Sequence, residues 1–225
     1  MTGHIVAMGG HALEEDWSRP LEDYALALTG KERPRLLLLA QATAEREDYV
    51  AAFHERFGDR AEVTDLSLFW RDERDPREVI LAHDAIFVSG GNTANLLAIW
   101  RAHGADAALR EAWEGGAVLV GSSAGMICWF ECSVTDSFGP LAPLEDGLGL
   151  LPGSACPHFD GEPERRPTYT RLVQEEGFPP GHAADDAAAL HFEGPRLVEA
   201  VGARAGASAY WVGPDGEIPL PTRLL

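Results

Sequence analysis

Val118-Leu119-Val120-Gly121-Ser122-Ser123-Ala124-Gly125-Met126 is the stretch on which the fold turns. Its first three residues are a continuous apolar run, the pattern of a strand buried on both faces. Five small residues follow, and the chain beyond them reads as a helix. The segment fits G-x-S-x-G with Ser123 at the centre. In a strand–corner–helix context that pattern lifts a hydroxyl above the carboxyl edge of a sheet. Gly121 and Gly125 let the backbone pack through the corner. The N–H of Ala124 then faces the place where negative charge could be stabilised. A plain Gly-Ser turn closing a strand would carry the same letters, and Ser122 is off the motif's centre.

Upstream, strands and helices alternate. His4 to Met8 reads as a strand ending at Gly9-Gly10. Arg35 to Ala40, Val63 to Phe69, Ala85 to Val88 and Ala117 to Val120 read as further strands. Between them, Ala44 to Phe57 places Val50, Phe53 and Phe57 at helical spacing, and Asn92 to His103 and Ala105 to Trp113 are helical too. This rhythm predicts a parallel sheet with helices on both faces. Downstream of about residue 133 the pattern loosens. Pro and Gly punctuate 139–157, Tyr169 to Glu176 is helical, and Ala188 to Phe192, Leu197 to Val201 and Ser208 to Val212 predict an antiparallel edge. No repeat or linker interrupts 1–225, so a single domain is expected.

The 225 residues carry 18 Lys and Arg against 36 Asp and Glu, a net charge of −18. So acidic a surface repels phosphate backbones and anionic lipid, which argues against nucleic-acid and membrane partners. No apolar run approaches the roughly 20 residues that span a bilayer. The N-terminus shows no secretory pattern. Three cysteines, Cys128, Cys132 and Cys156, without a CxxC pair suit buried thiols in a reducing cytoplasm better than disulfides or zinc. A monomer or homodimer is expected.

A second strand-to-helix corner, Ser89-Gly90-Gly91-Asn92, offers free backbone N–H groups from Gly90 or Gly91, with Asn92 as helix N-cap. A serine nucleophile needs a base, and eight histidines are available. His158, in Ala155-Cys156-Pro157-His158-Phe159-Asp160, is favoured over His182 and His191. Asp136, Asp160, Asp185 and Asp186 are candidate acids to orient it, and position alone does not choose among them. A metal-hydrolase reading would gather His158, Asp160, His182, Asp185, Asp186 and His191, but no HExxH-like spacing supports it.

In combination, FVSGGNTANLL (87–97), GSSAGM (121–126), PHF (157–159) and ADDAAAL (184–190) resemble the dipeptidase E and cyanophycinase family of serine peptidases. The resemblance implies an α/β three-layer sandwich with a mostly parallel central sheet, like class I glutamine amidotransferases and flavodoxin. It implies Ser123 as nucleophile, His158 as base, Asp186 as third member with Asp185 as fallback, and the N–H groups of Gly90 and Ala124 as oxyanion donors. It also implies a small peptide substrate with an N-terminal aspartate and no metal or organic cofactor. Arg166, with Arg165 as runner-up, corresponds to a substrate-holding arginine, and Asn92 and Asp136 are further candidate contacts. Thr135-Asp136-Ser137-Phe138 departs from the family's segment after the elbow, so a catalytically idle binding homologue is the competing reading. A glutamine amidotransferase would need a cysteine where Ser123 stands.

Overall fold

Strands that are apolar at successive positions must be covered on both faces, and the structure covers them with helices on one side and a mixed layer on the other. The computed structural model describes residues 3–70 and 72–225. Five strands form a parallel core: β1 (His4–Met8), β2 (Arg35–Leu39), β3 (Glu62–Asp65), β4 (Ala85–Val88) and β5 (Val118–Ser122). Six further strands run through the second half: β6 (Phe130–Thr135), β7 (Ala142–Leu144), β8 (Leu151–Cys156), β9 (Gly181–Ala184), β10 (Ala188–Glu193) and β11 (Arg196–Gly202). Three more follow, β12 (Ala209–Gly213), β13 (Gly216–Leu220) and β14 (Thr222–Leu224). The main sheet has the order β14-β11-β10-β1-β5-β4-β2-β3, and a second sheet has the order β13-β12-β9-β8-β6-β7. β10 lies antiparallel to both β1 and β11, which forms the expected antiparallel edge.

Alternation along β1 shows how the layers arise, since successive side chains point to opposite faces. Val6 and Met8 enter one cluster with Leu36, Leu38, Phe87 and Val120. That face is covered by α1 (Arg19–Ala27) and α2 (Glu47–Phe57), through Leu21, Ala25, Phe53 and Phe57. Ile5 and Ala7 enter the other cluster with Leu37, Leu39, Ile86 and Leu119. Here the cover is α3 (Pro76–Leu81), α4 (Thr93–His103), α5 (Ala105–Glu114) and the short α6 (Ala124–Ile127). The second sheet completes that layer, adding Phe130, Leu151, Ala155, Ala184 and Ala209 beside Leu190 and Phe192 of β10. The outer face of the second sheet is covered by α7 (Arg165–Glu175) through Tyr169, Leu172 and Val173. Trp129 and Phe130 are fully buried core residues.

Four sequence expectations are amended. The strand expected over Val63 to Phe69 stops at Asp65, because the Glu45 carboxylate accepts the N–H groups of Leu68 and Phe69 and draws the chain off the ladder. The helix expected from Ala44 starts at Glu47, since Ala44 and Glu45 both hold a left-handed φ of 56°. Strand β12 belongs to the second sheet rather than to the antiparallel edge, and β14 closes that edge in parallel with β11. Cys132 is only half-buried, unlike Cys128 and Cys156. Among the described residues no helix is long and apolar enough to cross a membrane.

Phe53 is fully buried and stacks on Phe57 with ring centroids 4.4 Å apart, next to Phe87 at 5.1 Å. Phe53→Ala should destabilise the fold by about 3–5 kcal/mol, read as a lower urea midpoint with an unchanged slope.

Candidate active site

The corner after β5 is held by close packing and by strain. Ser123 has φ 55° and ψ −111°, a conformation that a non-glycine residue keeps only when its surroundings impose it. A Cβ on Gly121 would lie 2.1 Å from the Gly125 carbonyl oxygen, and one on Gly125 would lie 2.3 Å from that of Val88. The corner therefore seats directly on the end of β4. Ser122 is the last residue of β5 and is buried, whereas Ser123 is partly exposed.

The corner after β4 comes up beside it. A Cβ built on Gly90 would lie 3.3 Å from Ser123 Cβ and 3.9 Å from its Oγ. Among the described residues no protein group accepts the Gly90 or Ala124 N–H. Asn92 caps α4, with its side-chain oxygen accepting the Asn95 N–H at 2.9 Å. Its Nδ2 donates to the Ser137 carbonyl at 3.0 Å, and Ser137 Oγ accepts the Thr93 and Ala94 N–H groups. Asn92 and the 135–138 loop thus brace the Gly90 corner. Asp136, in that loop, is exposed and sits 3.6 Å from Arg165.

His158 follows β8, with a left-handed φ of 51°. Its N–H donates to the Gly9 carbonyl at 3.2 Å, while the Ser123 N–H donates to the Met8 carbonyl at 3.1 Å. Serine and histidine therefore hang on consecutive carbonyls of the end of β1, whose Cα atoms are about 3.8 Å apart. No hydrogen bond joins their side chains in this structure. Such bonds commonly tighten only once substrate is bound. His158 Nδ1 and Asp186 Oδ1 are 2.6 Å apart. That hydrogen bond holds the Asp186 carboxyl below its ordinary range against the opposing effect of burial. An ionised carboxylate can only accept, so the proton sits on Nδ1 and leaves Nε2 as the free basic nitrogen. The Asp186 N–H in turn donates to Asp160 Oδ1 at 2.8 Å.

The remaining candidates make other contacts. Asp185 turns away from His158. Its Oδ2 accepts the Ser208 N–H at 3.0 Å and its Oδ1 is buried without a partner. Burial first, and the nearby Asp160 second, push its carboxyl up to about 6. Arg166 pairs with Glu217 at 2.9 Å and lies over the rings of Phe159 and Tyr210, behind the histidine loop. Arg165 is buried, donating to Glu162 at 2.7 Å and to the Val134 carbonyl at 3.4 Å. His182 is ringed by Phe130, Phe192 and Trp211, and His191 contacts His4 and Tyr24. Among the described residues no three His, Cys, Asp or Glu side chains converge as a metal site. Sequence reasoning missed Gly9 and Gly10 as parts of the site. It read them only as the end of a strand.

The profile described as Peptidase family S51 matches residues 5–199. The chain belongs to peptidase family S51. It is 44% identical over 228 residues to the uncharacterized peptidase YgaJ of Bacillus subtilis (strain 168), covering 98% of each chain. It is 30% identical over 176 residues to peptidase E of Streptomyces coelicolor, across 73% of this chain and 70% of that one. The crystal structure of a peptidase from an acI-B1 Actinobacterium superposes with a TM-score of 0.75 at 17% identity, covering 99% of this chain and 95% of the other. Membership of family S51 makes the protein a serine-type peptidase with the mixed α/β architecture anticipated from its sequence.

The buried acid beside the site has a consequence for stability. Asp185 keeps its proton in the folded state up to about pH 6, while an unfolded chain releases it near 3.8. The folded state thus binds more protons in that window, and stability falls as pH rises through it. Asp185→Asn should flatten this slope. Melting temperatures of parent and variant, taken at steps between about pH 4 and 6, read the difference. Parallel curves would count against the buried acid.

Proposed function

We propose that the protein hydrolyses small peptides through a Ser123–His158–Asp186 triad and an acyl-enzyme. The observation that carries this reading is the 2.6 Å His158–Asp186 hydrogen bond beside a serine held on a strained corner. Ser123 Oγ attacks the peptide carbonyl while His158 Nε2 takes its proton. Asp186 holds the ring in the required tautomer and stabilises the imidazolium. The free N–H groups of Gly90 and Ala124 stabilise the tetrahedral oxyanion. His158 then protonates the leaving amine, and water, activated by the same nitrogen, releases the acyl group.

Likeness to peptidase E makes peptides with an N-terminal aspartate the first substrate class. Arg166 is the exposed candidate for the substrate carboxylate, and it would exchange Glu217 for that partner. Asn92 holds the oxyanion corner, and Asp136 borders it as a second contact for substrate.

Ser123→Ala should lower kcat by about 10⁴-fold or more while leaving the melting temperature near that of the parent. A dipeptide panel varied at the first residue, run on parent and variant, measures this together with the aspartate preference. A fluorophosphonate probe should label the parent stoichiometrically at Ser123. An unlabelled but folded parent would favour the idle homologue instead.

A further inference from the structure

We infer that Gly10, with Gly161 opposite it, forms a slot free of side chains that positions the Asp186 carboxylate on His158. The inference rests on the triad reading above. β1 ends at Met8, and the chain continues alongside the site. Gly10 bridges Asp186 in parallel, and its carbonyl accepts the Ala187 N–H at 3.3 Å. A Cβ built on Gly10 would lie 1.9 Å from Asp186 Oδ1 and 3.1 Å from His158 Nδ1. Those are the two atoms of the 2.6 Å hydrogen bond. A Cβ on Gly161 would lie 2.3 Å from Asp186 Oδ2. Each carboxylate oxygen therefore rests against a residue without a side chain, and a methyl group on either side would occupy its place.

The requirement is for space, not for backbone freedom. Neither Gly10 nor Gly161 has a positive φ, so both backbones accept alanine. Gly9 is a different case. A Cβ there would meet the carbonyl oxygens of Ala184 at 2.3 Å and Asp185 at 2.4 Å, which are fixed in the backbone. At Gly10 the obstacle is the free end of a side chain that can rotate aside. Alanine at position 10 should thus keep the fold and turn the carboxylate away from the imidazole. Gly10 is a positioning residue that acts through Asp186.

The test compares the parent with Gly10→Ala, Gly161→Ala, Asp186→Asn, Asp186→Ala and the double variant Gly10→Ala/Asp186→Ala. The rate of fluorophosphonate labelling at Ser123 reports the serine's activation without requiring a known substrate. It should fall about 10²-fold in Gly10→Ala, the cost of misplacing a catalytic group by around 1 Å. Carbon-13 NMR follows the Asp186 carboxyl, whose titration should move up towards the ordinary carboxylate range in Gly10→Ala and in Gly161→Ala. Any loss in melting temperature caused by Gly10→Ala should shrink sharply in the Asp186→Ala background, because only the milder 3.1 Å contact with the His158 ring is then left. An unchanged Asp186 titration in Gly10→Ala overturns the inference. So does a melting loss, or outright unfolding, that persists undiminished without the carboxylate. If Asp186→Asn labels as fast as the parent, the triad reading fails, and the NMR and melting arms still decide the slot by themselves.

Discussion

Three consecutive carbonyls, from the last residue of β1 and the two glycines after it, organise the site. Met8 accepts the N–H of Ser123, Gly9 that of His158 and Gly10 that of Ala187, the residue after Asp186. β1 can serve as this reference because it cannot move. It lies in the main sheet between β5 and β10, and Ile5 to Met8 are completely buried on both faces. Three segments far apart in sequence are thereby brought to one place by hydrogen bonds to a single rigid element. A constellation held in this way needs little reorganisation when a substrate arrives.

Strain is concentrated at the same place. Among the described residues five non-glycine residues have a positive φ, and three of them are Ser123, His158 and Ala187. Each such conformation costs on the order of 1–3 kcal/mol and persists only where the surroundings over-determine it. The surroundings here are the two core clusters that clamp β1, β4 and β5. The core thus has a second task besides stability, which is to hold three backbone corners that would relax on their own. Placement at the carboxyl ends of parallel strands follows from the same logic, since helices and loops diverge there and leave a crevice.

Much of this was legible in the sequence, and the parts that were not share physical causes. Continuous apolar runs such as Leu36 to Leu39 announce strands that are buried on both sides, and β1, β2, β4 and β5 could be read that way, whereas β3, Glu-Val-Thr-Asp at the sheet's edge, carries no such run. Ser123 and His158 could be singled out as candidates because a small-residue corner and a histidine after a strand leave local marks, whereas Asp186 left none and came only through the family resemblance. The second sheet left a weaker mark. β7 has three residues and β9 four, too short for a periodicity to be seen, and β9 takes both of its partners, β8 and β12, from distant parts of the chain. The end of β3 was lost for a different reason, because a carboxylate 20 or so residues away captures its backbone, and no local pattern encodes that contact. Gly9-Gly10 was visible but mute. Glycine at a strand end usually reports a turn, and only coordinates show that the missing side chain makes room for a carboxylate.

The choice between Asp185 and Asp186 shows what geometry adds to chemistry that the sequence leaves level. The two are adjacent, identical and both near Asp160. Their side chains find different partners, and so they meet different environments. Asp186 gains a hydrogen bond from an imidazole and is pulled below its ordinary range. Asp185 gains burial with one oxygen unpartnered and is pushed up to about 6. Asp160 works on both neighbours, fixing the backbone of one through its N–H and opposing ionisation of the other. Negative charge is thus retained on the carboxylate that faces the histidine and disfavoured on the one behind it. In the proposed mechanism, a base that becomes an imidazolium would benefit from that division, because the stabilising charge lies along its Nδ1 and not diffusely around the ring.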